Sequence, residues 1–490
     1  MGMSVGRAVM QRVVSVAGAS LALGALWAPG AVASLPVPTP LVTDFQQVSS
    51  ALTPPTQAQC NAIGRRCWAP GPFQNAYNLT PLYAAGNQGQ GVTVAVVDSF
   101  GSQTIRADLN NFSTQFGLPH MCGEDNHTCV AGDPSFSILC VQACTDAKAP
   151  PSTSQGTGLE NKNLWEVEVS LDVEWVHAVA PRANIILVTT PTAEVLGVQG
   201  FPQMMNSEQY VIDHGLAQVI SQSFGAGEPT FNGGTAALEN LRGAFISAQT
   251  HNVTVFASSG DFGNSNIYKT PVSGPNAMPL IPFPNVSWPA SDPLVTSVGG
   301  TYLCANANTG SRVADSASPP VNCQSNPGVT EVGWVAAGGG FSTVFGKPSY
   351  QNVLPPGSNT AGNTNNTRGV PDVGMEASSR TGVLVYDGGS WFIVGGTSVA
   401  SPTFAAVVAI ADQVNGAPLG FINPALYKIG ANPARYANDF FDVSTGNNDN
   451  FNSPQDPNFA ATPGWDPVTG LGTPNAANLV PDLILAVHGS

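Results

Sequence analysis

Charge is what this 490-residue chain has least of. Asp, Glu, Lys and Arg make up only 10% of it, and 16 Lys and Arg face 31 Asp and Glu, for a net charge of −15. So small a basic complement excludes a nucleic-acid binder, because phosphate recognition needs a clustered basic surface. Few carboxylates also limit the charge imbalance when protons are added, which suits an acidic medium; the plainer reading is an acidic secreted protein. Long apolar runs are scarce too. The one candidate, residues 13–27, follows Arg7 and Arg12, is interrupted by Gly18 and Gly24, and leads past Pro29 to Ala31-Val-Ala33. It reads as a signal peptide over 1–33, cleaved before Ser34 and too broken for a membrane anchor. The chain is therefore expected to be secreted and extracellular, free of the membrane after cleavage, and monomeric.

Glycine (53) and proline (41) are plentiful, and 42% hydrophobic residues are enough for a sizeable core. That combination describes a loop-rich globular protein. The eight cysteines fall as Cys60/Cys67, Cys122/Cys129, Cys140/Cys144 and Cys304/Cys323. Close pairs in an exported chain predict local disulfides. Zinc is the rival, with His127 beside Cys129, but no second close-spaced pair completes a zinc pattern.

Residues 34–75, rich in Pro, Gln, Thr and Ser, read as a short exposed lead-in. One catalytic-size domain over 76–487 is the simplest account of the rest. Apolar β-rich runs at 92–97, 184–189, 218–223 and 253–258 alternate with helical patterns at 164–179, 206–215 and 235–250. Short, continuously apolar strands alternating with helices predict an α/β fold around a mainly parallel sheet covered on both faces.

Two segments carry candidate chemistry. In the first, Asn163-Leu-Trp-Glu166 resembles a capping box, so a helix is expected to start near Leu164. On it Glu168 and Asp172 are four residues apart and share a face. Leu164, Leu171 and Trp175 flank that face on one side, and Trp165, Val169, Val173 and Val176 on the other. Two inward carboxyl groups so placed must share a proton or find strong partners. Glu166, Ser170 and Glu174 form a separate polar stripe, expected to face water. The bland alternative is an ordinary solvated face for both pairs. In the second segment, Gly395-Gly-Thr-Ser398 follows the apolar residues 391–394 and precedes a helical run over 403–414, with Pro402 expected in its first turn. A serine there meets helix N–H groups that favour an oxyanion; the alternative is a Gly-rich turn with a capping serine.

In combination these pieces resemble the sedolisin family of serine-carboxyl peptidases. The family's Glu-x-x-x-Asp is matched by Glu168-Val-Ser-Leu-Asp172, its Ser-Gly-Asp turn by Ser259-Gly260-Asp261, and its Gly-Thr-Ser-x-x-x-Pro by Gly396-Thr-Ser-Val-Ala-Ser-Pro402. Val298-Gly-Gly-Thr301, Gly338-Gly-Gly-Phe-Ser342 and the stretch from Gly464-Trp-Asp to Gly472 match as well, so the resemblance covers roughly 76–487. It implies a subtilisin-like three-layer fold, with a mainly parallel central sheet and helices on both faces. It also implies a secreted, acid-active peptidase acting on polypeptide substrates, an endopeptidase by preference and a tripeptidyl exopeptidase as the alternative. A non-catalytic binding protein on the same scaffold is the rival class.

The implied roles are Ser398 as nucleophile, Glu168 as general base, Asp172 as its orienting partner, and Asp261 as a protonated oxyanion-hole donor. A base that must be ionised and a donor that must not be limit activity to a window from around pH 3 to around pH 5–6. None of the six histidines has the context of a catalytic base, and His177 is read as a helix-end residue. Asp98, where subtilisins keep an acid, is read first as a turn or cap residue. The family's calcium ion maps onto Asp442, Val443, Thr462, Gly464 and Asp466, an all-oxygen set with one structural Ca²⁺. Two turn aspartates are the alternative. Sedolisins usually carry a long N-terminal prosegment; here folding needs none, another chain supplies it, or the form is diverged.

Overall fold

The computed structural model describes residues 39–40, 45–141, 162–190, 200–231, 233–267, 280–451 and 456–489. In chain order the elements that build the site are β1 (Phe45–Ser49), β2 (Thr93–Ser99), α1 (Ile105–Phe116), β3 (Phe136–Cys140) and α2 (Lys162–Val179). Then come β4 (Asn184–Thr190), α3 (Gly200–Asp213), β5 (Val219–Gln222), α4 (Gly243–His251) and β6 (Thr254–Ser258). The second half adds β7 (Thr296–Leu303), β8 (Glu331–Gly333), β9 (Val373–Glu376), β10 (Val383–Asp387), β11 (Ser390–Val394) and α5 (Thr397–Asn415).

An eight-stranded sheet runs β8-β7-β6-β5-β2-β4-β3, with β9 also on β7. Every pairing is parallel except β8 on β7. The apolar runs are continuous because both faces are covered. Along β2, Val94 and Val96 enter one hydrophobic core and Ala95 and Val97 the other. The first core holds Val169 and Val173 of α2 and Val399 and Val407 of α5. The second holds Met204 of α3 and Phe245 of α4. Helix, sheet and helix are thus three layers, as expected for an α/β fold with a mainly parallel sheet.

Several local expectations need correction. The lead-in is not simply exposed: Cys60, Trp68 and Phe73 have no exposure, and the Arg66 side chain is buried, donating to the carbonyls of Ala305, Asp315, Ser318 and Pro319. Its composition is poor in charge rather than poor in core residues. β1, also in the lead-in, pairs antiparallel with β11, and Thr39–Pro40 pairs with Phe224–Gly225. Asn163 stands inside the first turn of α2, since the helix already begins at Lys162. The pattern at 235–250 splits into Gly234–Glu239 and α4. Pro402 is the sixth residue of α5, past its first turn. A proline there cannot donate to the carbonyl four residues back, which is that of Ser398.

Cys60–Cys67, Cys122–Cys129 and Cys304–Cys323 are disulfides, so Cys129 has no thiolate to offer a metal. Cys140 is also disulfide-bonded; Cys144 and the signal segment lie outside the described residues. Among those residues no helix is long and apolar enough to cross a membrane.

Candidate active site

The sheet delivers three strand ends side by side. β6, β5 and β2 are neighbours and parallel, and their carboxyl ends carry Asp261, Ser223 and Asp98. The carboxyl edge of a parallel sheet is where such folds place ligands, because loops of differing length leave the strands there. α2 and α5 pack against each other on one face of this sheet. α2 contributes Glu168 and Asp172 from one helical face, and α5 contributes Ser398 from its first turn.

Ser398 stands where it does because of two glycines. A Cβ on Gly395 would lie 2.0 Å from the Ser379 nitrogen. Gly396, the N-cap of α5, has φ 122°, a conformation that suits glycine. The turn is then tied to the Ser259-Gly260-Asp261 segment. Asp261 Oδ1 accepts from Thr397 N at 2.8 Å and from Thr397 Oγ1 at 2.9 Å, while Gly260 N donates to Thr397 Oγ1 at 3.1 Å. Ser258 Oγ donates to Thr397 O at 2.9 Å. Asp261 is thereby fixed beside the residue that precedes Ser398.

Glu168, Asp172 and Ser398 are all fully buried. Ser223 Oγ donates to Asp172 Oδ1 at 2.9 Å. Burial, followed by the nearby carboxyl groups of Asp98 and Glu168, pushes Asp172 well above the usual carboxylate range. Asp98 is equally buried and is raised by that burial to about 8. It shares the parity of Val94 and Val96, so it points toward the layer that contains α2. Asp98 is therefore more than a turn residue: its carboxyl group, with that of Glu168, lies near enough to Asp172 to raise it. His177 lies on α2 but is turned toward Pro119 and His120, and burial lowers it to about 4.

Sequence reasoning missed Ser223 and Thr397 and undervalued Asp98. The signal for all three was position: each sits within one residue of a strand's carboxyl end or of the candidate nucleophile. Of the stripe of Glu166, Ser170 and Glu174, only Glu166 keeps partial exposure to water. Ser170 and Glu174 have no exposure, because the β10–β11 hairpin lies over them.

At the second candidate site the structure brings Asp442 and Asp466 to one turn. Asp442 accepts from Tyr436 Oη at 2.9 Å and Gly464 N at 3.2 Å; Asp466 accepts from Val468 N at 2.8 Å, Thr469 N at 2.9 Å and Thr462 N at 3.2 Å. Burial raises both acids, Asp466 to about 8, and no Lys or Arg pairs with either among the described residues. A buried carboxyl group, Asp466, and an exposed one, Asp442, without a cation on a turn of backbone carbonyls fit a hard divalent ion. No group of three or more metal-ligating side chains is gathered among the described residues, so such a site depends on the carbonyls of Val443, Thr462 and Gly464.

No protein-family model matches the chain. Kumamolisin of Bacillus sp. (strain MN-32) is 33% identical over 335 residues, which is 68% of this chain and 53% of that protein. Tripeptidyl-peptidase 1 of Rattus norvegicus is 28% identical over 355 residues, 68% of this chain and 54% of that protein. The chain thus spans about half the length of the curated relatives it matches. Pseudomonas sedolisin, a serine-carboxyl proteinase solved with pseudo-iodotyrostatin, matches with a TM-score of 0.61 at 24% identity, covering 85% of this chain and 98% of that one. That likeness speaks for the fold, and the relatives speak for the sequence. The chain belongs to the sedolisin family of serine-carboxyl peptidases.

Proposed function

We propose that the protein is a secreted, acid-active serine-carboxyl peptidase. The observation that carries the reading is the packing of α2 on α5, which sets a fully buried Glu/Asp pair in the layer that begins with Ser398. Ser398 Oγ attacks the peptide carbonyl and passes its proton to Glu168, which returns it to the leaving amine. Asp172, held by Ser223 and charged with a shared proton, orients Glu168 as an aspartate orients histidine in the usual triad. Thr397 occupies Asp261 Oδ1, so a proton on Oδ2 gives the oxyanion its donor. A carboxylate base works in acid, where a histidine would already hold its proton.

Ser398→Ala should abolish hydrolysis of a denatured protein substrate at about pH 4, and Glu168→Gln should lower kcat by about 10⁴-fold or more, without further loss in the double variant. Activity peaking near pH 8, or surviving Ser398→Ala, would sink the reading. Endopeptidase cleavage is the form proposed; the kinship with tripeptidyl-peptidase 1 favours, as a second reading, release of tripeptides. N-terminally blocked peptides separate the two, since only an endopeptidase cuts them.

Calcium is proposed as a structural ion held by the carboxylates of Asp442 and Asp466 and the carbonyls of Val443, Thr462 and Gly464. Bound there, it would neutralise the buried Asp466 and the exposed Asp442 and fasten the turn. Secretion is proposed from the disulfides and the signal-like start.

A further inference from the structure

α2 is fastened to the hairpin that leads to Ser398, by Trp175 beside the Glu168 face and by Ser170 and Glu174 on the opposite one. Trp175 Nε1 donates to Leu384 O at 2.9 Å, Tyr386 N to Glu174 Oε2 at 3.0 Å, and Ser170 Oγ to Asp387 Oδ1 at 2.9 Å. At the hairpin's turn, Gly388 N donates to Asp108 Oδ2 at 3.2 Å, Asp108 being in the first turn of α1. β11 is bonded to β10 in register from Val383↔Val394 to Asp387↔Ser390, and Val394 runs directly into the Gly395-Gly396 turn. Whatever holds β10 on α2 therefore also holds the approach to Ser398.

That contact is made of acids. Asp108 comes from α1, Glu166 and Glu174 from α2, and Asp387 from the hairpin; the Tyr386 phenol is the other titratable group facing them. No Lys, Arg or His pairs with any of the four among the described residues. Glu174 is fully buried, and its Oε1 has no hydrogen-bond partner. Neutral carboxyl groups can crowd in this way; four carboxylates without a cation cannot.

We propose that Asp108, Glu166, Glu174 and Asp387 form a proton-dependent latch that holds the β10–β11 hairpin, and with it the turn presenting Ser398, against α2 in acid and releases it near neutral pH. Burial raises all four, and repulsion from neighbouring carboxyl groups adds to it at Asp108, Glu166 and Glu174: Asp108 goes to about 7, Glu174 well above its ordinary range, Glu166 and Asp387 upward. Groups raised in this sense contribute their full stability below the ordinary carboxylate range and lose it as pH rises toward 7. The latch rests on the peptidase reading only for its effect on activity, so it is tested in a protein that does no chemistry.

In full-length Ser398→Ala protein, amide hydrogen exchange over 383–394 is followed from about pH 4 to about pH 8, corrected for intrinsic rates, with β2 and β5 as internal references. The latch predicts a loss of protection of about tenfold or more in the hairpin across that range while the references keep theirs. Glu174→Gln and Asp387→Asn, singly and together, should flatten that dependence, and Asp108→Asn serves if either fails to fold. Hairpin protection that follows β2 and β5 at every pH, or a pH dependence unchanged in the variants, overturns the latch. A chain that proved to have no peptidase activity would leave the exchange result standing.

Discussion

Asp172 sits where three influences meet. Burial raises it first, Asp98 and Glu168 raise it further, and the Ser223 hydroxyl alone works in the other direction. Removing that hydroxyl should push the proton more firmly onto Asp172 and loosen its hold on Glu168. Ser223→Ala is therefore expected to lower kcat about tenfold, with KM little changed, since one hydrogen bond to a charged group is worth about 1.5–3 kcal/mol. The readout that separates this from a packing defect is the acid limb of the kcat–pH profile, which should shift; a lower kcat with an unmoved profile would argue for packing alone. These partners were the least legible part of the site. Glu168, Asp172, Asp261 and Ser398 announce themselves through spacing, but Ser223 and Thr397 act through the ends of elements that meet only when the sheet has formed.

The strand-turn-helix unit of β11, Gly395-Gly396 and α5 shows what an element demands of its residues. The Gly395 position lies against backbone, with the Ser379 nitrogen and Cα at 2.0 and 2.4 Å from any added Cβ, so no side-chain motion can relieve an alanine there. Gly395→Ala should cost about 3 kcal/mol or more. That is visible as a lower midpoint of denaturant unfolding, with activity lost in proportion to Ser398 displacement. The sequence showed this unit well, because an apolar strand, paired glycines and a helical run follow one another locally. It showed α2 only in part. The inward face was readable from its apolar flanks, whereas the second face looked solvated because Glu166, Ser170 and Glu174 are polar. What covers Ser170 and Glu174 is a hairpin more than 200 residues away in sequence, with its own acids, and no local pattern reveals that partner.

Across the whole molecule, buried acids outnumber the cations that could balance them. Asp98, Asp108, Asp412 and Asp466 are all raised, to about 7 or 8. Each contributes stability that is complete below the ordinary carboxylate range and is lost as pH rises through these values. The fold is therefore expected to be most stable in acid, with a Tm that falls from about pH 4 toward neutrality. Calcium should act in the opposite sense at its own site, because protons and the ion compete for Asp442 and Asp466. Saturating Ca²⁺ should raise Tm more at about pH 6 than at about pH 3, the stabilisation at the higher pH being about 2.7 kcal/mol at a hundredfold excess over Kd. Calorimetry with Ca²⁺ and with chelator at the two pH values checks this. A Tm indifferent to both would dismiss the ion. The parallel sheet and its two covered faces were legible from the alternation of apolar runs with helical patterns; this imbalance was not, because a low acidic content says nothing of how much of it is buried.

The strand β1 has a consequence for the strand that leads to the nucleophile. β11 is flanked by β10 on one side and by β1 on the other, and its Trp391 donates from Nε1 to Leu52 O just past β1. Trimming the chain beyond Ser50 would turn β11 from an interior strand into an edge, with unpaired N–H and C=O groups beside Trp391 and Ile393. Such an edge invites intermolecular pairing. The lead-in is thus a guard against self-association at the strand that runs into the serine's turn, and a form processed past it would lose solubility.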